Sequence, residues 1–128
     1  MPRFVVHEHH ATRLHWDFRL EYDGVLKSWA VPKGPSMNPA DKRLAIQVED
    51  HALAYGSFEG TIPEGHYGAG EVLIWDEGGY EPLVDFGAGL TAGAISFLLY
   101  GQRLSGEFSL VRLKKGTGKE WLLIRKKS

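Results

Sequence analysis

Residues Leu14 to Tyr22 alternate without interruption: Leu14, Trp16, Phe18, Leu20 and Tyr22 interleave with His15, Asp17, Arg19 and Glu21. Successive side chains of a pleated strand point to opposite faces, so a period of two means a strand with one face against a core. Asp23-Gly24 follows at once, the dipeptide that best tolerates the positive φ angles of a two-residue hairpin turn. Val25 to Val31 then reads as the returning strand, ended by Pro32-Lys33-Gly34-Pro35, since proline has no N–H to give to a ladder. A hairpin of this kind commits the chain to a sheet.

The rest of the sequence repeats the theme. MPRFVV reads as an opening strand, and Leu44 to Glu49 as another with Leu44, Ile46 and Val48 on one face. Glu71 to Trp75, Ile95 to Tyr100, Gly106 to Leu113 and Trp121 to Arg125 fit further strands, with turns at Gly101 and Gly116-Thr117-Gly118. Asp85 to Gly93 is a Gly- and Ala-rich connection that takes no assignment, and no amphipathic helix exceeds two turns. Many short strands with closely spaced turns imply a mainly β protein: a compact β-barrel, or a sandwich, with short helical or loop connections. Closing the sheet removes the exposed edges that a small β protein must otherwise protect. A length of 128 residues is expected to make one domain spanning residues 1–128.

Composition narrows the chemistry. The chain has no cysteine, so a transition metal would have to sit on His, Asp or Glu. No apolar run approaches the roughly 20 residues of a membrane-spanning helix, and no signal peptide is visible; the expectation is a cytoplasmic protein. The net charge of −1 excludes a protein held to nucleic acid by bulk electrostatics, so any such contact must run through a few placed Arg and Lys residues.

Four of the six histidines lie between positions 7 and 15: His7, His9, His10 and His15. On the strand from Leu14, the residues His15, Asp17 and Arg19 share the face opposite Trp16 and Phe18. Neighbours two apart on one face lie about 6.5 to 7 Å apart at Cα, close enough for His15 and Asp17 to share an ion. His9 would be about 20 Å from His15 in a continuous strand; it joins them only if Ala11-Thr12-Arg13 turns the chain back. Imidazole and carboxylate ligands suit manganese, zinc or iron(II), and Arg19 is placed to hold a phosphate or carboxylate bidentately. The competing reading is a solvated strand face with ordinary surface His and Asp.

His51 is a candidate proton donor or phosphoryl contact, and the Tyr55 hydroxyl can donate to the same oxygens. Lys33 in its proline-bounded loop and Arg43 at the start of a strand are candidate cations. Each of these four residues also has an ordinary structural or surface reading. The glycine-rich segment 62–70 is read as a structural turn, since a strand and not a helix follows it. The basic run Arg125-Lys126-Lys127 reads as a solvated tail. Two other functions fit the same residues. One is an iron(II) oxygenase whose facial triad joins His15 and Asp17 to His51 or His66. The other is a non-catalytic nucleic-acid-binding module whose Trp and Tyr residues stack on bases.

Longer motifs go further. Phe4-Val5-Val6, His9-x5-His15-x-Asp17-Phe18-Arg19-Leu20-Glu21 and Asp23-Gly24-Val25-Leu26-Lys27-Ser28-Trp29-Ala30-Val31-Pro32-Lys33-Gly34-Pro35 closely resemble the 3′-phosphoesterase domain of bacterial DNA ligase D. The match continues through Val48-Glu49-Asp50-His51 with Tyr55, then segments 59–65, 67–70 and 99–108, over nearly the whole chain. The resemblance implies a β-barrel and a manganese-dependent enzyme, with zinc or another divalent metal as substitutes. Such an enzyme removes a 3′-terminal ribonucleoside and then the remaining 3′-phosphate during end joining. It implies His9, His15 and Asp17 as metal ligands and Arg19, Lys33, Arg43 and His51 as phosphate contacts. His51, Tyr55 and Arg19 are the implied catalytic groups, with His51 the general acid.

Two departures stand out. His7-Glu8 occupies the place of the family's Gln-Lys, which on the resemblance alters metal preference. The family's N-terminal arm, with further Arg and acidic residues, is not represented, which on the resemblance weakens ribonucleoside removal. No ligase or polymerase module lies in these residues. The implied protein is a free-standing monomer that works on primer–template and ribonucleotide-terminated 3′ ends beside a separate ligase and polymerase.

Overall fold

The structure is a computed structural model that describes residues 1–127. Nine strands form the sheet: β1 (Arg3–His10), β2 (Leu14–Tyr22), β3 (Val25–Val31), β4 (Arg43–Ala52), β5 (Gly60–Ile62), β6 (Gly70–Pro82), β7 (Ala94–Tyr100), β8 (Ser105–Arg112) and β9 (Glu120–Arg125). Their spatial order is β1-β2-β3-β4-β9-β8-β7-β6-β5, and β1 also pairs with β6. That pairing closes an antiparallel barrel of eight strands, with β5 as an extra strand on β6. The one α-helix among the described residues, α1 (Phe86–Ala92), occupies the stretch that resisted assignment. The Asp85 side chain caps it by accepting from the Ala88 N–H, and Gly93 ends it in the left-handed conformation, so capping chemistry rather than an apolar stripe makes this short helix.

The predicted hairpin is present. Asp23 and Gly24 both adopt positive φ, 52° and 79°, and the strands pair from Tyr22↔Val25 to Trp16↔Val31. Parity along β2 decides the two sides of the wall. Phe18 and Leu20 point into the barrel with Phe4, Val6, Trp29, Val31, Phe97, Phe108 and Trp121. Phe18 stacks on Phe97 with ring centroids 5.8 Å apart, and Trp29 meets Trp121 edge-on at 5.8 Å. Such pairs add to the burial of large aromatic surfaces. His15, Asp17 and Arg19 therefore lie on the outside of the barrel.

One expectation is corrected. The strand expected at Glu71 to Trp75 runs on to Pro82. Gly78-Gly79 does not break it, because a side chain at Gly78 would strike the Tyr100 carbonyl. Glycine marks a close backbone approach here, not a turn. The apolar face Leu44/Ile46/Val48 of β4 points outward, with Leu44 40% exposed. The inward face carries Ala45, fully buried, and Gln47, which accepts from the Trp121 indole N–H at 3.2 Å.

A register shift between Val6 and His7 leaves a bulge in β6 at Trp75 and turns the buried Asp76 carboxylate toward the Gly101–Leu104 turn. Asp76 accepts from the backbone N–H groups of Gln102, Arg103 and Leu104 at 3.0, 3.1 and 2.8 Å. Asp76→Ala strands those donors and is expected to cost about 3 kcal/mol or more. Asp76→Asn, which keeps an acceptor but loses the charge, should fall between. Urea unfolding midpoints check this, and an unshifted midpoint for Asp76→Ala would show the carboxylate to be dispensable.

Candidate metal centre

The turn at residues 11–13 does reverse the chain. β1 and β2 pair antiparallel with His9 directly opposite His15 and His7 opposite Asp17. The residue spacing that separates His9 from His15 along the chain thus becomes a cross-strand contact, with imidazole centroids 4.7 Å apart. Ligand atoms of His9, His15 and Asp17 all lie within 4.8 Å of one another, the one such cluster among the described residues. His9 Nδ1 faces Asp17 Oδ2 at 3.5 Å and His15 Nε2 faces Asp17 Oδ1 at 3.3 Å.

Whether this set suits a cation is decided by the other ring nitrogens. His9 Nε2 lies 2.8 Å from the Gly68 carbonyl, and His15 Nδ1 lies 3.1 Å from the Arg13 carbonyl. A carbonyl only accepts, so each ring places its proton there and turns a lone pair toward Asp17. Two lone pairs and a carboxylate facing one another repel unless a positive charge sits among them. The hydrogen bond to Asp17 raises the His15 pKa, which favours a proton between the two. Burial works against the Asp17 charge, but the His15 hydrogen bond and Arg19 outweigh it and lower its pKa. A divalent cation on His9, His15 and Asp17 would satisfy the same three groups and compete with that proton.

Arg19 lies beside this cluster, only 2% exposed. Its Nε donates to His7 Nδ1 at 2.9 Å, Nη1 donates to Ser28 Oγ at 2.9 Å, and Nη2 donates to Asp17 Oδ2 at 3.4 Å. Nη1 is also 3.1 Å from His51 Nδ1. His7 completes the mount, its Nε2 donating to the Phe58 carbonyl at 3.1 Å. Burial first, and Arg19 second, push the His7 pKa down to about 4, so the ring stays neutral and able to accept. With both nitrogens engaged, His7 reaches the metal centre only through Arg19. His10, by contrast, is exposed and pairs with Glu8.

His51 and Tyr55 belong to the same place. Tyr55 sits in a 3₁₀ turn (Leu53–Ser57) that follows β4. Its ring lies 4.9 Å from His51, 5.1 Å from His7 and 5.2 Å from Phe58, with the Arg19 guanidinium 5.0 Å from its centroid. Burial raises the Tyr55 pKa and, with Arg19, lowers that of His51. His51 Nδ1 is also 3.0 Å from the Glu49 carbonyl. Accepting from Arg19 and donating to Glu49 require opposite tautomers, so one ring cannot do both at once.

One pocket on the outer wall gathers His9, His15, Asp17, Arg19, His51 and Tyr55. Segment 53–69 arches over it between β4 and β6, which explains why a guanidinium on the outside of a barrel is buried. Lys33 and Arg43 are not part of its lining. Lys33 is exposed in the turn after β3, and Arg43 is hydrogen-bonded to Asp41 at 3.5 Å. His66 is exposed and outside the ligand cluster, and His51 faces Arg19, so neither completes the oxygenase triad. The glycine-rich segment is a turn, as expected; it offers carbonyls to His9, not N–H groups to an anion. Sequence reasoning did not single out Ser28, and it took His7 no further than the histidine cluster and the departure from the family, although strand parity with His9 was a signal for its place.

The fold and donor set define a class: a β-barrel with a candidate metal centre and a fixed guanidinium on its outer wall. The sequence model of the DNA Ligase D 3′-phosphoesterase domain matches residues 7–112. The multifunctional non-homologous end joining protein LigD of Pseudomonas aeruginosa is 56% identical over 126 residues, 98% of this chain and 15% of that protein. The LigD proteins of Mycobacterium bovis and Mycolicibacterium smegmatis are 50% and 45% identical over 98% of this chain and 16% and 17% of theirs. The chain belongs to the DNA ligase D 3′-phosphoesterase domain family, and it spans about a sixth of the length of these relatives. Among the described residues no helix is long and apolar enough to cross a membrane.

Proposed function

We propose that this protein is a manganese-dependent phosphoesterase that trims nucleic acid 3′ ends, removing a terminal ribonucleoside and a 3′-phosphate so that a strand can be extended or sealed. The observation that carries the reading is the convergence of His9, His15 and Asp17 beside the buried Arg19 fork, in a chain of phosphoesterase family. A divalent cation held by those three residues would supply a Lewis acid for a phosphoryl oxygen. Arg19, held from behind by His7 and Ser28, presents fixed positive charge where the phosphoryl group gains negative charge, with no reorganisation during reaction. Tyr55, packed against Arg19, adds a hydroxyl donor in the same pocket. Burial and Arg19 lower the His51 pKa and favour its neutral form in the free protein. A phosphate dianion drawn alongside opposes the effect of Arg19 and favours the imidazolium, so His51 is charged once substrate is bound and passes its proton to the leaving oxygen.

Lys33 takes a phosphate further along the strand: Val31 pairs with Trp16, next to His15, so the turn that carries Lys33 stands at the His15 end of the wall. Arg43 pairs with the core residue Leu123 and has the inward parity of Ala45, so any contact it makes with a phosphate is at the end of the barrel and not on the outer wall. The LigD relatives are named for end joining, and this domain is assigned to the same process, acting in the cytoplasm with a ligase and a polymerase.

The test is a 5′-labelled strand ending in a ribonucleotide or a 3′-phosphate, annealed to a template and resolved on a gel after incubation with each of several divalent ions. Conversion to a 3′-hydroxyl end with Mn²⁺, abolished by EDTA, is expected. Strands unchanged under every ion would reject the function.

A further inference from the structure

The outward apolar face of β4 does not stop at the catalytic pocket. Val48 lines that pocket and also an adjoining groove, together with Ile46, Gln47, Glu49, Tyr67 and Lys119. Tyr67 is likewise shared by both hollows, and it is 79% exposed. A large aromatic ring left in water at the rim of a reactive pocket has no packing role. Its backbone is nevertheless held in place: the carbonyl of the next residue, Gly68, accepts from His9 Nε2 at 2.8 Å. The bond that orients a candidate metal ligand therefore also anchors the backbone that carries the Tyr67 ring. Among the described residues, Lys119 makes no ion pair, so its ammonium is available to an anion. Glu49 is the one carboxylate in the groove and disfavours phosphate on its own side.

We propose that this groove holds the terminal nucleoside of the strand being trimmed, with its sugar on Ile46 and Val48, its base against the Tyr67 ring and its own 5′-phosphate at Lys119. The proposal rests on the reading of the neighbouring pocket as a 3′-end phosphoesterase site, and it names the subsite that would seat the strand there. Three features match a nucleotide. The groove is continuous with the pocket that takes the 3′-phosphate, one wall is apolar with an aromatic face, and a cation is placed to receive a phosphate. Every base has a π-face, so the subsite grips without reading sequence. That property suits an enzyme that must accept any broken end. It also explains how a protein of net charge −1 binds nucleic acid: one stacked base and a few placed cations replace a basic surface.

The experiment is a double-mutant cycle between protein and strand, read by fluorescence anisotropy with a 3′-hydroxyl strand, which needs no turnover. Wild type should bind a strand with a normal terminal base about tenfold more tightly than one with an abasic terminal residue. Tyr67→Ala should bind both about equally, at the weaker affinity, and Tyr67→Phe should restore the difference. Lys119→Gln should flatten the salt dependence of log Kd by about 0.7. Thermal melts of each variant, unchanged from wild type, exclude a structural origin. If the abasic strand costs Tyr67→Ala as much as wild type, the subsite is wrong, and equal binding of the normal strand by Tyr67→Ala and wild type overturns it as well. Failure of the wild type to release phosphate would instead reject the phosphoesterase reading while leaving this coupling measurable.

Discussion

His15→Ala is expected to lower the proposed Mn²⁺-dependent release of phosphate from a 3′-phosphorylated primer–template by about a thousandfold or more. His15 supplies one of three converging ligand atoms, and a site reduced to His9 and Asp17 loses both affinity for the cation and the Lewis acid it would provide. The fold should survive. The His15 side chain is 23% exposed on the outer wall, and its recorded polar partners are Asp17 and the Arg13 carbonyl. A melting temperature within a few degrees of wild type is therefore expected, alongside loss of Mn²⁺ binding measured by calorimetry. His10→Ala is the matched control, since His10 pairs with Glu8 outside the cluster, and it should leave turnover intact. Undiminished phosphate release by His15→Ala would reject the ligand assignment whatever the metal.

Arg19→Ala should damage activity and stability together. Losing a preorganised charge clamp costs about 3 kcal/mol of barrier, or a hundredfold or more in kcat. The structural loss has a separate cause. Without the guanidinium, Asp17, His7 Nδ1 and Ser28 Oγ lose a donor in a buried setting, and breaking a buried charged pair costs about 3 to 5 kcal/mol. Arg19→Lys separates the two effects. An ammonium restores charge near Asp17 but cannot reproduce the planar fork that reaches His7, Ser28 and Asp17 at once. The Lys variant should recover a good part of the stability, seen in urea unfolding, while kcat stays at least tenfold low. An Arg19→Lys enzyme with wild-type kcat would show that point charge alone suffices and that the fork is incidental.

These predictions differ in character because the residues differ in how they are held. His15 stands at a rim and touches little, so its loss is chemical. Arg19 belongs to a mount assembled from β1, β2, β3 and the end of β4, so its loss is mechanical as well. The departure at His7 acquires its meaning there. A neutral imidazole that accepts from Arg19 and donates to the Phe58 carbonyl holds the guanidinium in place.

By itself the sequence determined the local elements. Alternation defined β2, Asp23-Gly24 defined its hairpin, and parity put His15, Asp17 and Arg19 together on the face opposite Phe18, because side-chain direction in a strand is set by the next residue or two. The motif spacing was also enough to name the family. Only the tertiary structure decided which face of each strand is inside. Closure through β1–β6 turned Leu44, Ile46 and Val48 of β4 outward, although their alternation looks like that of a core strand. It alone brought Gly68 to His9 and Phe58 to His7 across 59 and 51 residues, and Asp76 to Leu104 across 28. Those contacts select tautomers, bury a guanidinium and satisfy a bulge. Nothing local encodes them, since they depend on where a closed sheet and its covering segment bring distant backbone together.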